Sequence, residues 1–102
     1  MNRYTALEER ASLQAQLASA LSSLAHMNKS RHPERAEAHL RRALSITETA
    51  LGADHPQMAI CLNNLGMICM LRRKLRDAQD CFERACTVAQ KAHGHGAPEV
   101  EP

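Results

Sequence analysis

Aromatic residues are nearly absent from this chain of 102 residues, which has one Tyr, one Phe and no Trp. A hydrophobic core must therefore be built from aliphatic and sulfur-containing side chains. The shortage also argues against RNA-binding sheets and single-strand-binding barrels, because those domains stack bases on several aromatic rings. With 44% apolar residues, the chain is long enough for one small domain.

Long hydrophobic runs are lacking as well. The longest, Gly66 to Leu71, is far too short to cross a bilayer. The N-terminal residues do not include the apolar stretch of a secretory signal. Neither sign of charge dominates, since 13 basic and 11 acidic residues give a net charge of +2. We therefore expect an intracellular, cytoplasmic protein with no membrane segment.

The four cysteines, Cys61, Cys69, Cys81 and Cys86, do not form a C-x-x-C pair. All of them lie in segments whose apolar pattern is helical. Without a secretion signal, reduced thiols that pack as small apolar residues are the favoured interpretation. A zinc site or a regulatory thiol remains the alternative.

Glycine and proline are few, with four of each, and they separate segments in which apolar residues recur at spacings of three and four. This periodicity predicts an all-α fold, and no segment shows the alternation of a strand. The predicted helices span about 5–28, 33–50, 56–72 and 75–92. Residues 93–102 have too few apolar side chains to pack, so we expect a helical domain over 1–92 and a flexible tail.

The chain contains an internal repeat. A shift of 42 residues places Ala36, Leu40, Ala43 and Gly52 on Ala78, Phe82, Ala85 and Gly94, and a shift of 41 places Leu21, Leu24 and Ala25 on Leu62, Leu65 and Gly66. Each repeat is a pair of helices joined by a turn. Two helix-turn-helix units in succession predict a short α-α solenoid.

The pattern Leu62-x-x-Leu65-Gly66-x-x-Cys69, followed by Ala78-x-x-x-Phe82-x-x-Ala85, resembles the tetratricopeptide repeat. The 42-residue spacing and the segments 50–56 and 61–66 are similar to the kinesin-light-chain type of this repeat. The resemblance implies a non-enzymatic module that binds a protein or peptide partner. It also implies that the first helix of each unit lines a concave groove.

Carried over by position, the resemblance assigns seven groove residues, which are Ser22, Ser23, His26, Asn63, Asn64, Met67 and Met70. An Asn amide both donates and accepts hydrogen bonds, so Asn64 could bind a peptide backbone of any sequence. The flexible thioether of Met67 could adapt to different apolar side chains. The alternative is that the Asn and His residues are ordinary polar surface residues and the Met residues belong to the core.

Basic residues cluster in the turns that follow the first and third predicted helices. In a two-helix repeat both turns lie at one edge, so these residues form a basic rim, made of Lys29, Arg31, Arg35, Arg72, Arg73, Lys74 and Arg76. The rim could attract an acidic partner. Alternatively, its cations only complement helix dipoles and keep the turns soluble. Nucleic-acid binding is a less favoured hypothesis, because no aromatic side chains that could stack on nucleobases accompany the Lys and Arg residues of the rim.

No set of nucleophile, base and oxyanion donor is recognisable, so we expect neither an enzyme nor a cofactor. His93 and His95 are two metal ligands at most, and we predict no metal site. Two units are fewer than a stable repeat array usually needs. We therefore consider that the last helix self-associates through Cys81, Val88 and Ala92, or that the chain is part of a longer array.

Overall fold

The computed structural model describes the backbone of residues 3–93 and the side chains of residues 5–92. This part of the chain contains no strand and forms four α-helices, which are α1 (Arg3–Asn28), α2 (Pro33–Leu51), α3 (Pro56–Leu71) and α4 (Leu75–His93). The predicted all-α fold of two helix-turn-helix units is confirmed. Each helix begins and ends within two residues of its predicted bounds. Beyond His93, the expected tail lies outside the described residues.

The helices stack in chain order, because α1 packs on α2, α2 packs on α3, and α3 packs on α4. Their facing residues form two buried clusters. The smaller lies between α1 and α2 and contains Ala18, Leu21 and Ala43. The larger is centred on α3, with buried residues that include Leu40, Met58, Leu62, Leu65 and Val88. This arrangement is a short solenoid in which α3 is covered on two sides.

Proline and glycine set the limits of α2 and α3. Pro33 and Pro56 occupy the first turns of these helices, where a missing N–H costs no hydrogen bond. Gly52 follows α2 with φ of +103° and ψ of 155°, a conformation open almost only to glycine. His55 precedes α3, and its Nδ1 accepts a hydrogen bond from the backbone N–H of Gln57 at 3.0 Å. These contacts fix the turn between the two units.

The turn after α3 closes without glycine. Lys74 N donates to Cys69 O at 2.7 Å, and Arg73 N donates to Met70 O at 3.0 Å. This is the Schellman pattern, which normally places glycine at the left-handed position. Here Arg73 occupies that position with φ of +65°. The turn therefore holds an arginine in a backbone conformation that is costly for any residue with a Cβ.

Each unit has one close helix crossing with complementary side-chain sizes. In the second unit, a Cβ added at Gly66 would lie 2.8 Å from Cε1 of Phe82. The equivalent positions in the first unit hold the larger Ala25 and the smaller Leu40, both of them buried. A small residue on one helix thus allows a larger one on the other.

Three of the four thiols are buried, as predicted for cysteines that pack as apolar residues, and Cys86 is exposed. All four are free. Burial is the main cause that raises the pKa of Cys69 and of Cys81. These two thiols therefore stay protonated and act as core residues.

The prediction that Cys81 and Val88 face outward is wrong. Their exposed fractions are 8% and 3%, because α4 contacts α3 along a stripe of Ala78, Cys81, Ala85 and Val88. The 3–4 spacing of Leu75, Ala78, Phe82, Ala85 and Ala89 predicts a packed side that begins at Leu75, but Leu75 is 63% exposed at the start of α4. Of the three residues predicted for self-association, Ala92 alone is exposed.

Candidate functional site

A pocket of about 190 Å³ opens between α1 and α3, with α2 beneath it. Its lining consists of Ser22, Ala25, His26 and Lys29 from α1, Leu40 from α2, and Asn64, Met67 and Ile68 from α3. Ala25 has a small side chain, which leaves part of this space open. We call it the α1–α3 pocket.

The pocket brings together four of the seven predicted groove residues, namely Ser22, His26, Asn64 and Met67. Lys29 of the basic rim lies at the same pocket. The other three groove residues, Ser23, Asn63 and Met70, are exposed and do not line it. The predicted surface is therefore divided, with one part gathered around the pocket and another part outside it.

The pocket combines an apolar base with polar edges. Leu40 and Ile68 are almost fully buried and provide the base. Met67 is 56% exposed, so its thioether is available to a bound side chain. The half-buried amide of Asn64 offers a donor and an acceptor, and Lys29 adds a positive charge. This surface can hold an aliphatic side chain and pair with polar groups beside it.

The basic rim is only partly available to a partner, because two of its members bind a buried carboxylate. Glu37 of α2 has a side chain that is 6% exposed. Arg72 Nη1 donates to Glu37 Oε1 at 2.5 Å, and Lys74 Nζ donates to Oε2 at 3.0 Å. Arg41 Nε completes the cluster at 2.8 Å from Oε2. We call these four residues the Glu37 cluster.

The cluster keeps Glu37 ionised. Burial alone would raise the pKa of this carboxyl group, but the hydrogen bonds from Lys74, Arg41 and Arg72 together lower it to about 2. In turn, Glu37 raises the pKa of Arg41. The cluster connects the start of α2 with the turn after α3, so it places both basic turns at one edge of the fold, as the sequence predicts.

From the sequence, Glu37 is expected on the surface, and its burial corrects that expectation. Its equivalent in the second unit is Gln79, so the repeat comparison gives no indication of a charge there. The position of Glu37 in the helical pattern could have indicated its burial, because it lies beside Ala36 and one turn before Arg41 on the packed side of α2. A carboxylate at such a position needs cationic partners.

Five rim residues remain without an ion pair in the described part of the chain, namely Lys29, Arg31, Arg35, Arg73 and Arg76. The neutralisation of Arg72 and Lys74 weakens the case for a polyanion-binding edge. No three potential metal ligands come together among the described residues, and His95 lies outside them. None of the four described helices combines the length and apolarity needed to cross a bilayer.

Comparison with known proteins agrees with this architecture. The family model for the tetratricopeptide repeat matches residues 9–91, which include most of α1 and all of α2 and α3. The chain belongs to the tetratricopeptide repeat family. This family generally mediates protein–protein interactions, and its repeat domains are typically non-enzymatic. Searches of the curated proteins and of the solved structures found no match.

Proposed function

We propose that this chain is an adaptor module that binds a short peptide segment of a partner protein in the α1–α3 pocket. The observation that carries the proposal is the convergence of Ser22, His26, Asn64 and Met67, from two separate units, on one pocket. The 42-residue spacing of the chain's internal repeat supports assignment to the kinesin-light-chain-like type of tetratricopeptide repeat.

The size of the pocket favours a peptide side chain over a small molecule. Its volume of about 190 Å³ is below the range of roughly 300–1,000 Å³ typical of small-molecule sites. An aliphatic side chain would contact Leu40, Ile68 and Met67. The amide of Asn64 would then pair with the peptide backbone beside that anchor.

The charge at the pocket favours an acidic residue in the partner. Lys29 lies at the pocket, and Arg31 follows it in the same turn without an ion pair among the described residues. A carboxylate next to the aliphatic anchor would face these cations. We therefore propose a partner segment with one aliphatic and one acidic residue close together.

The experiment is selection from a displayed library of short peptides, followed by affinity measurement on the selected sequence. We expect Asn64→Ala to weaken binding by about 1–3 kcal/mol, because the peptide backbone loses a desolvated hydrogen bond. Gln90→Ala is the matched control, since it removes an exposed amide of α4 outside the pocket. Equal affinities for Asn64→Ala and the unmodified chain would overturn the proposal.

A further inference from the structure

The outer side of α1 carries the same kind of surface that α3 uses to cover α2. Four α3 residues, Met58, Cys61, Leu65 and Ile68, are at most 4% exposed and belong to α3's buried side. A shift of 41 residues aligns them with Leu17, Ala20, Leu24 and Met27 of α1. All four of these α1 residues are exposed in the described part of the chain, and Met27 is 76% exposed. We call this set the α1 end face.

The outer side of α4 carries the other half of that internal interface. On α2, Glu37, Leu40, Leu44 and Thr47 lie on the side next to α3, where Thr47 Oγ1 is 3.6 Å from Cys61 Sγ. A shift of 42 residues aligns these positions with Gln79, Phe82, Cys86 and Ala89. The aligned residues are exposed or half-buried, and we call them the α4 end face. A shallow groove lined by Met70, Leu75 and Phe82 adjoins them.

We propose that a second copy of this chain stacks head to tail on the first, with the α1 end face of one copy against the α4 end face of the other. The contact would continue the geometry of the α2–α3 interface already present within the chain. It would cover side chains whose equivalents inside the chain are buried.

One pair of opposite charges lies beside the two faces. Within the chain, Glu37 of α2 is bound by Arg72 from the turn after α3. On the α4 end face the position of Glu37 is neutral, but Glu83 lies one turn further along and is exposed. Arg31 aligns with Arg72 in the turn after α1. In the stack, Arg31 of the second copy approaches Glu83 of the first. The ion pair between Arg72 and Glu37 at the α2–α3 interface thus has a counterpart between copies.

The stack also accounts for the predicted groove residues that the α1–α3 pocket leaves out. By the same shifts, the pocket's α1 residues Ser22 and Lys29 align with Asn63 and Met70, and its α3 residue Asn64 aligns with Ser23. Stacking would therefore bring Asn63 and Met70 of one copy beside Ser23 of the next. This part of the inference rests on the proposed peptide-binding function, and it predicts a second, equivalent pocket at each junction.

Because the two faces are different, the contact is heterologous, and a stack that continues the solenoid adds copies in one direction and does not close as a two-fold dimer. The first experiment is analytical ultracentrifugation of the full chain over the micromolar range. We expect the average mass to rise continuously with concentration and to pass beyond a dimer. A chain that stays monomeric at high micromolar concentration, or that stops at a dimer, overturns the proposal.

The second experiment blocks each face separately. Met27→Glu places a charge on the α1 end face, and Cys86→Arg places one on the α4 end face; both positions are exposed, so the helical fold is expected to persist in circular dichroism. Each variant alone should be monomeric. An equimolar mixture should form a heterodimer, because each variant keeps one intact face and the intact faces differ. A mixture that stays monomeric overturns the head-to-tail arrangement.

Peptide binding by the monomeric Met27→Glu variant tests the proposed function separately. That variant retains a complete α1–α3 pocket within one chain. If the Met27→Glu variant binds the peptide with normal affinity and the unmodified chain does not self-associate, the proposed function stands and the proposed stack is wrong. In a stack that does form, Asn63→Ala should lower the number of peptides bound per chain, whereas it should leave binding to the Met27→Glu monomer unchanged.

Discussion

Glu37→Gln is expected to destabilise the fold more than any conservative change at an exposed acidic residue. The pKa of this carboxyl group falls from 4.5 to about 2 on folding. At about 1.4 kcal/mol per pKa unit, this shift corresponds to roughly 3 kcal/mol. The cationic side chains that bind Glu37 are 31–48% exposed, so solvent screens part of the interaction. We therefore expect a loss of about 2 kcal/mol near neutral pH.

The lowered pKa of Glu37 also determines how the stability of the fold depends on pH. Since the pKa of Glu37 is lower in the folded state, its contribution is complete above the unfolded value of 4.5 and is lost as the pH falls towards 2. Urea unfolding should therefore show the unmodified chain approaching the stability of Glu37→Gln in acid. Glu34→Gln is the control, because its carboxylate on the same helix is 59% exposed. If both variants lose the same stability at neutral pH, the reasoning about the buried cluster is refuted.

Two further changes test the turn and the helix crossing. Arg73→Gly should raise the free energy of unfolding by about 1 kcal/mol, because glycine adopts the left-handed conformation without the cost that a Cβ imposes; an unchanged melting temperature would contradict this. Gly66→Ala should cost up to about 2 kcal/mol in denaturant unfolding, since overpacking against Phe82 exceeds the gain in helix propensity. Adding Phe82→Leu should recover that loss, and a double variant no more stable than Gly66→Ala would count against the crossing geometry.

The helices and their order were predictable because their signals are local. Pro33, Gly52 and Pro56 mark helix limits through backbone restrictions that act within one turn. The 3–4 spacing of apolar residues then gives each helix a packed side, and the repeat shows that the units are alike. Ser22 and Asn64 could be assigned to one groove because the resemblance to the tetratricopeptide repeat implies that the first helix of each unit lines it, and both residues line the α1–α3 pocket.

The exact packed side of α4 and the Glu37 cluster depend on tertiary contacts that the sequence pattern does not specify. Cys81 and Val88 have apolar neighbours on both sides in the helical pattern, so periodicity alone allowed a rotated face. Glu37 meets Arg72 and Lys74 across 35 and 37 residues of sequence. No local rule predicts such an ion pair. The repeat comparison is the one non-local signal in the sequence, and it gives no indication here because the position equivalent to Glu37 holds Gln79.

The complementary sizes at the two close crossings restrict which helices can pair. If α1 were to pair with α4 in place of α2, Ala25 would meet Phe82, and the ring would occupy space that only glycine leaves free. If α3 took the place of α1 as the partner of α2 within a unit, Gly66 would face Leu40 and leave a void, which is also unfavourable. The repeats are alike enough to stack but are not interchangeable in their pairing. This mismatch opposes the pairing of a helix of one unit with the partner helix of the other unit, both within a chain and between neighbouring copies.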